Sequence, residues 1–230
     1  MRERFQSILN GYNFRFGNYI NGGFELIKKD FASILVAYLL CMLIAFIPFC
    51  AILGIGNFYK VLQRIDRGEQ ANVGEIFDFK DFLPYFKFQI VVIALVFALL
   101  IPIQMFMIPS LMFWSNASDQ ISTIGVLGSM SVFIVIILIF IVLDTAATFF
   151  VTPLISLFGA TNMRDTFTLS WQIAKKNLLQ ISLFMIATGL ISQIGILLCG
   201  VGLLLTAPLA IVMKYVASKD ILYTQNNVQN

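Results

Sequence analysis

Long apolar stretches alternate with short clusters of charged residues along this chain of 230 residues. Five stretches contain no charged residue, and most of them exceed the roughly 20 residues that one helical membrane crossing needs. Apolar runs of this length predict transmembrane helices rather than the core helices of a soluble domain. The charge-free stretches are 31–59, 88–118, 120–143, 145–163 and 177–213.

The positions of the basic residues predict how often the chain crosses the membrane. All 15 Lys and Arg residues lie in four regions, 1–30, 60–87, 164–176 and from 214 onward. Because cytoplasmic loops carry the excess of Lys and Arg, these regions should lie on one side. That condition is met if two of the charge-free stretches are helical hairpins that turn where Gly or Pro interrupts the helix. The turns are predicted near Phe46-Ile47-Pro48 and at Cys199-Gly200-Val201-Gly202.

We therefore predict an all-α, polytopic transmembrane helical bundle of about six helices, including two helical hairpins, with both termini cytoplasmic. An N-terminal segment, 1–30, precedes a single transmembrane domain, 31–218, and a tail, 219–230. The predicted helices are 30–46, 48–64, 87–109, 123–157, 178–198 and 203–218; the predicted cytoplasmic loops are 65–86 and 158–177; the longest external loop is predicted from Ser110 to Ser122.

The first hairpin is short for two crossings. Its 29 charge-free residues make about 43 Å of helix at 1.5 Å per residue. For a double crossing, the two helices would have to include polar flanking residues. Their charged side chains would then have to extend to the interface, as can those of Lys28, Lys29, Lys60 and Arg64. A shallow re-entrant hairpin is the alternative.

Three amphipathic segments with helical spacing precede membrane helices on the cytoplasmic side. Each is interpreted either as an interfacial anchor or as a docking face for a soluble partner. Two stripes of small residues predict close helix packing in lipid. The amphipathic segments are Ile20, Phe24, Ile27, Phe31, then Ile76, Phe79, Leu83, Phe86, then Phe167, Trp171, Ala174, Leu178. The small-residue stripes are Ser33, Ala37, Cys41, Ala45 and Thr188, Ser192, Gly195, Cys199.

Composition narrows the possible chemistry. The chain is 59% hydrophobic and 12% charged and has no histidine. It also lacks the sequence motifs of hydrolytic triads, zinc proteases and phosphate-binding loops. We expect no cofactor and no metal site, and the scattered basic residues do not indicate nucleic-acid binding. Whether the chain is an enzyme stays open, with a non-enzymatic role favoured.

Four polar residues within apolar stretches form a candidate intramembrane cluster: Asp144, Thr148, Gln104 and Gln193. Asp144 and Thr148 share a helix face at i and i+4, and ionisable groups within membrane segments are candidates for function. Interfacial anchoring or hydrogen bonding between helices is the alternative explanation.

Several motifs resemble uncharacterised multi-pass membrane proteins of bacteria, including the membrane domain fused to glycerophosphodiester phosphodiesterases. They are Ala174-Lys175-Lys176-Asn177 with Gly189, Gly195, Cys199-Gly200-Val201-Gly202, Pro208 and Tyr215, and also Gly56-Asn57-Phe58-Tyr59-Lys60 with Arg67-Gly68-Glu69. The resemblance implies a helical bundle in the bacterial inner membrane. The phosphodiesterase catalytic domain is absent from this sequence, so that activity is not implied.

Three functions are compatible with these features. The leading hypothesis is a non-enzymatic inner-membrane protein that packs against membrane lipids, a membrane protein partner or a second copy of itself. A small transporter or channel built around Asp144 is the alternative. A lipid-modifying membrane enzyme is the third.

Overall fold

A computed structural model describes residues 5–115, 119–198 and 201–225. The described residues form helices and contain no strand, as the all-α prediction requires. The α-helices are α1 (Gln6–Asn10), α2 (Phe16–Lys29), α3 (Phe31–Ala45), α4 (Ala51–Asp66), α5 (Phe82–Ser115), α6 (Asp119–Thr148), α7 (Val151–Phe158), α8 (Met163–Ala174), α9 (Leu178–Gln193) and α10 (Val201–Lys219). Shorter helical segments are Val73–Phe77, Lys175–Asn177, Ile194–Leu198 and Asp220–Gln225.

The first predicted hairpin is formed by α3 and α4, which pack against each other. The chain turns directly after Ala45, as predicted, and Phe49 has a left-handed backbone with φ of 64°. The packing face of α3 differs from the predicted stripe of small residues. Ala37 and Cys41 are buried, but Ser33 and Ala45 are not. The larger Ile34 and Ile44 complete the buried face, and α4 makes room for Ile44 by placing Gly54 opposite it.

The predicted single helix 123–157 is wrong, because the chain breaks between α6 and α7. Ser170 on α8 donates its hydroxyl to the carbonyl of Ala147 at 2.6 Å. The same oxygen accepts the backbone amide of Phe150 at 3.2 Å. A side chain from another helix thus replaces the missing intrahelical partners, which stabilises a turn that local sequence does not indicate.

Helix α5 is longer than the predicted 87–109. It continues through Pro102 and Pro109 to Ser115, and Ser110 donates its hydroxyl to the carbonyl of Met107 at 2.8 Å. The predicted external loop from Ser110 to Ser122 is therefore too long, since α6 begins at Asp119. Residues 116–118 lie outside the described part of the chain.

The second predicted hairpin pairs α9 and the following Ile194–Leu198 segment with α10. Of its predicted turn, residues 199 and 200 lie outside the described residues, and Cys199 of the small-residue stripe is one of them. Thr188 and Gly195 of that stripe are buried. Thr206 donates its hydroxyl to the carbonyl of Ser192 at 2.6 Å, which joins the two sides of the hairpin.

The three predicted amphipathic segments agree with the structure to different degrees. In α2 the face that contacts the protein is Tyr19, Gly23 and Leu26, so the predicted apolar face with Phe24 is directed outward. The second segment is not one helix, because Ile76 belongs to a 3₁₀ helix that ends before α5 begins. In the third segment Ala174 is buried. The predicted C-terminal tail also packs on the fold, with Ile221 and Leu222 buried.

Contacts among the described residues divide the chain into two compact units. The large unit comprises Met1–Lys87 with Thr145–Asn230, and the apolar unit comprises Phe88–Asp144. In the apolar unit, every described side chain except Phe88 and Ile103 is at least partly exposed. Within the described residues, three helical stretches are long and apolar enough to cross a membrane: Phe82–Trp114, Ile124–Thr145 and Met163–Ile196.

Candidate functional site

The four residues of the predicted polar cluster lie on three helices. Asp144 is half-buried in α6, and Thr148 ends the same helix. The Thr148 hydroxyl donates to the carbonyl of Thr145 at 3.4 Å. Gln104 on α5 and Gln193 at the end of α9 are both exposed.

Gln104 lines an apolar depression of about 580 Å³ on α5, together with Phe97, Leu100 and Met105 among others. The other residues that line this depression are apolar and belong to α5. A joint cluster of the four residues stays a prediction. Within the described residues, no group of three or more His, Cys, Asp or Glu side chains has a geometry suited to a metal ion.

A segment rich in charge lies against α4. The side-chain amide of Asn57, which is wholly buried, donates to the carbonyl of Ile76 at 3.1 Å and to that of Asp78 at 2.7 Å. These two bonds hold the main chain of residues 76–78 against the middle of α4. Sequence reasoning missed this anchor, because an asparagine within an apolar stretch does not reveal its distant partner.

Ion pairs hold the same segment at two further points. Lys60 lies 2.6 Å from Asp81, and Arg64 lies 2.6 Å from Glu75. The extension of Lys60 and Arg64 to a membrane interface, which a double crossing would require, stays a prediction. In the structure each one pairs with a carboxylate of the following segment; because these side chains are partly exposed, each pair contributes only modestly to stability.

The beginning of α5 packs against the turn of the hairpin. The rings of Phe49 and Phe86 meet edge to face with centroids 5.2 Å apart. Tyr85, which is fully buried, occupies the space beside Gly56 on α4. The turn between α3 and α4 therefore lies beside the first residues of α5 within the large unit.

A charged junction joins α2, α4 and α10. Asp66, at the end of α4, accepts a hydrogen bond from Lys29 at 3.3 Å, one from Tyr215 at 3.3 Å and a short one from Lys219. Burial raises the pKa of the Asp66 carboxyl, but the two lysines outweigh burial and hold that pKa below its ordinary value. Both carboxylate oxygens are engaged, so the geometry indicates a structural junction rather than a general base.

A cavity of about 320 Å³ adjoins this junction. Besides Asp66, Lys29 and Lys219, it is lined by Glu25 and Asp220. Tyr19 donates its hydroxyl to Asp220 at 2.9 Å, and burial together with this carboxylate raises the pKa of the phenol. Three carboxylates and two lysines line the cavity, so it is not a site of a single charge sign that would select an anion or a cation.

Comparison with protein families, curated proteins and solved structures finds no match for this chain.

Proposed function

We propose that the chain is an integral protein of the bacterial inner membrane that acts without catalysis, by packing against lipid or a membrane protein partner. The observation that carries this proposal is the exposure of α5 and α6. Their side chains are apolar on nearly every side, as in Phe106 and Ile134, which are 72% and 53% exposed. A helix that is apolar all round needs an apolar environment, and lipid supplies one.

The distribution of charge supports an orientation with both termini in the cytoplasm. In this proposal α5 and α6 cross the membrane as a pair, and α9, extended by the Ile194–Leu198 segment, forms a second pair with α10. Each pair returns the chain to the side from which it came. All 15 basic residues then face the cytoplasm, in agreement with the bias of Lys and Arg in membrane proteins.

The transporter alternative gains no support from the positions of its residues, since Gln104 and Gln193 are exposed. The junction at Asp66 likewise supplies no free catalytic group for a lipid-modifying enzyme. Both hypotheses stay predictions from sequence. Lipid packing is favoured because it requires only the apolar surfaces that the chain presents.

Membrane fractionation tests the proposal. The protein should stay in the pellet after an alkaline carbonate wash and enter solution only with detergent. Val135→Lys, near the middle of the α6 stretch, should reduce membrane insertion, because a central lysine costs about 2.5–3.5 kcal/mol on insertion scales. Gln70→Lys, on an exposed loop position, is the matched control. Recovery of the unaltered protein in a detergent-free soluble fraction would refute a membrane role.

Purification in mild detergent tests the mode of action. We expect specific lipid, a membrane protein or a second copy of the chain to copurify. A preparation of single chains with no bound lipid, detected by native mass spectrometry, would count against action through packing.

A further inference from the structure

We propose that the α3–α4 hairpin inserts its turn into one leaflet of the bilayer and does not cross it. In this arrangement the apolar side chains of the turn contact the acyl chains of the leaflet whose surface lies beside Lys87. This inference rests on the proposed membrane function, and it specifies which surface of the large unit meets lipid and how deeply.

Neither α3 nor α4 is long enough to cross a bilayer. Helix α3 has 15 residues and α4 has 16. At 1.5 Å per residue, these helices are each about 22–24 Å long. The hydrocarbon core of a bilayer is about 30 Å thick, so neither helix reaches across it, even with its full length in lipid.

An irregular, charged segment lies along the half of α4 that is farther from the turn. Asn57 binds the main chain of residues 76 and 78 at the middle of α4, and Lys60 pairs with Asp81 nearby. Lys80 beside them is exposed. Irregular backbone and an exposed ammonium are not stable against lipid hydrocarbon. Only the half of the hairpin nearer the turn is therefore free to enter the hydrocarbon.

The turn of the hairpin contacts the first residues of α5. Phe49 touches Phe86 with ring centroids 5.2 Å apart, and Phe86 directly precedes the exposed Lys87. A turn on the opposite side of the membrane would lie about 30 Å from a lysine at the cytoplasmic interface. The ring contact places the turn close to that interface instead.

The surface of the turn is suited to acyl chains. Phe46 is 85% exposed, Leu43 57% and Ile47 46%. The stretch 31–59, which includes the turn, contains no charged side chain. Leu83 at the start of α5 is also 56% exposed, so the apolar surface continues into the helix that enters the membrane. Lys80 and Lys87 flank it and can meet the phosphates of the same leaflet.

The arrangement leaves the distribution of charge unchanged. A hairpin that crosses twice and a hairpin that does not cross both return the chain to the cytoplasm. All 15 basic residues stay on one side in either case. The positive-inside rule therefore cannot separate the two arrangements, whereas the contacts of Asn57 and Phe49 do.

Labelling of single cysteines tests the inference. In a background with Cys41→Ala, Cys50→Ala and Cys199→Ala, the Phe46→Cys protein is treated in intact cells with a membrane-impermeant maleimide, and again in inverted membrane vesicles. We expect labelling in neither preparation and full labelling in SDS. Replacement of this exposed side chain should leave the fold intact. Gln70→Cys, which should react only in inverted vesicles, is the matched control for the cytoplasmic side.

A nitroxide attached to the thiol of the Phe46→Cys protein then gives the depth by its relative collision rates with oxygen and with a water-soluble nickel chelate. We expect high oxygen and low nickel accessibility, at a depth within one leaflet. Labelling of this thiol in intact cells would show a complete crossing, and labelling in inverted vesicles would show a turn in water; either result overturns the inference. Neither affects the proposal that the protein is integral to the membrane, which fails if the unaltered protein is recovered without detergent.

Discussion

The phenol of Tyr85 stands where a side chain at Gly56 would have to be. This relationship joins the start of α5 to the middle of α4, and it explains a glycine in the interior of a helix. Tyr85 is fully buried, as is the neighbouring Tyr59. The contact belongs to the same packing that holds Phe49 against Phe86.

We predict that Gly56→Ala destabilises the protein by about 1–3 kcal/mol, because the new methyl group overlaps with Tyr85 and forces it to move. The free energy of unfolding in detergent, measured by titration with SDS, checks this. Gly17→Ala is the control, since its Cβ would meet no atom within 4 Å. It should be neutral or slightly stabilising, as expected for alanine in a helix. Equal stability of Gly56→Ala and Gly17→Ala would contradict the packing of Tyr85.

We expect a similar effect of a substitution at Gly195 in the second hairpin. A Cβ there would meet backbone atoms of Gly202, which cannot move away as a flexible side chain can. Gly195→Ala should therefore separate the two sides of the hairpin and shorten the lifetime of the folded protein in detergent at elevated temperature. Gly189→Ala lies on the same hairpin, where a Cβ has open space, and should leave that lifetime unchanged. The idea fails if both variants lose their fold at the same rate.

We expect the stability of the protein to depend on pH through the ion pairs of Asp66. Because Lys219 and Lys29 keep its pKa lowered in the folded state, its contribution is complete above the ordinary carboxyl pKa of about 4. The contribution is lost as the pH falls from there through the lower pKa of the folded state. Asp66→Asn should cost about 1–2 kcal/mol at neutral pH, since the partners are partly exposed.

The stability difference between the unaltered protein and Asp66→Asn should narrow as the pH falls below about 4. Unfolding followed across this range gives the measurement. Glu25→Gln removes the exposed pair with Lys28 and should change stability little at any pH. A constant difference between the unaltered protein and Asp66→Asn at all pH values would exclude the ion pairs as its cause.

Asn57 controls the order of the following segment. Asn57→Ala removes two donors from the carbonyls of Ile76 and Asp78 and should destabilise the protein by about 2 kcal/mol or more. Release of the segment should also speed cleavage by trypsin after Lys80. Gln70→Ala, on the same connection and exposed, is the control. Unchanged cleavage in Asn57→Ala would mean that other contacts hold the segment.

The helical content and the apolar surfaces of the chain follow from its sequence. Uninterrupted apolar runs have one low-energy solution in lipid, a helix that satisfies its own backbone, so helical content and apolar surfaces are predictable from composition. The turn after Ala45 and the second hairpin follow from Pro, Gly and the grouping of Lys and Arg.

Only the tertiary structure decided where polar groups find partners. Ser170 forms hydrogen bonds with the turn between α6 and α7, Asn57 holds a segment about 20 residues away in sequence, and Asp66 pairs with lysines from α2 and α10. A hydrophobic pattern shows which residues of a helix are shielded from water, and this is a local property of the sequence. It does not record which distant backbone group a buried hydroxyl or amide will bind, because that depends on three-dimensional proximity. The depth that we propose for the first hairpin likewise rests on the lengths of α3 and α4 and on the contacts of Phe49 and Asn57, which an apolar stretch in the sequence does not reveal.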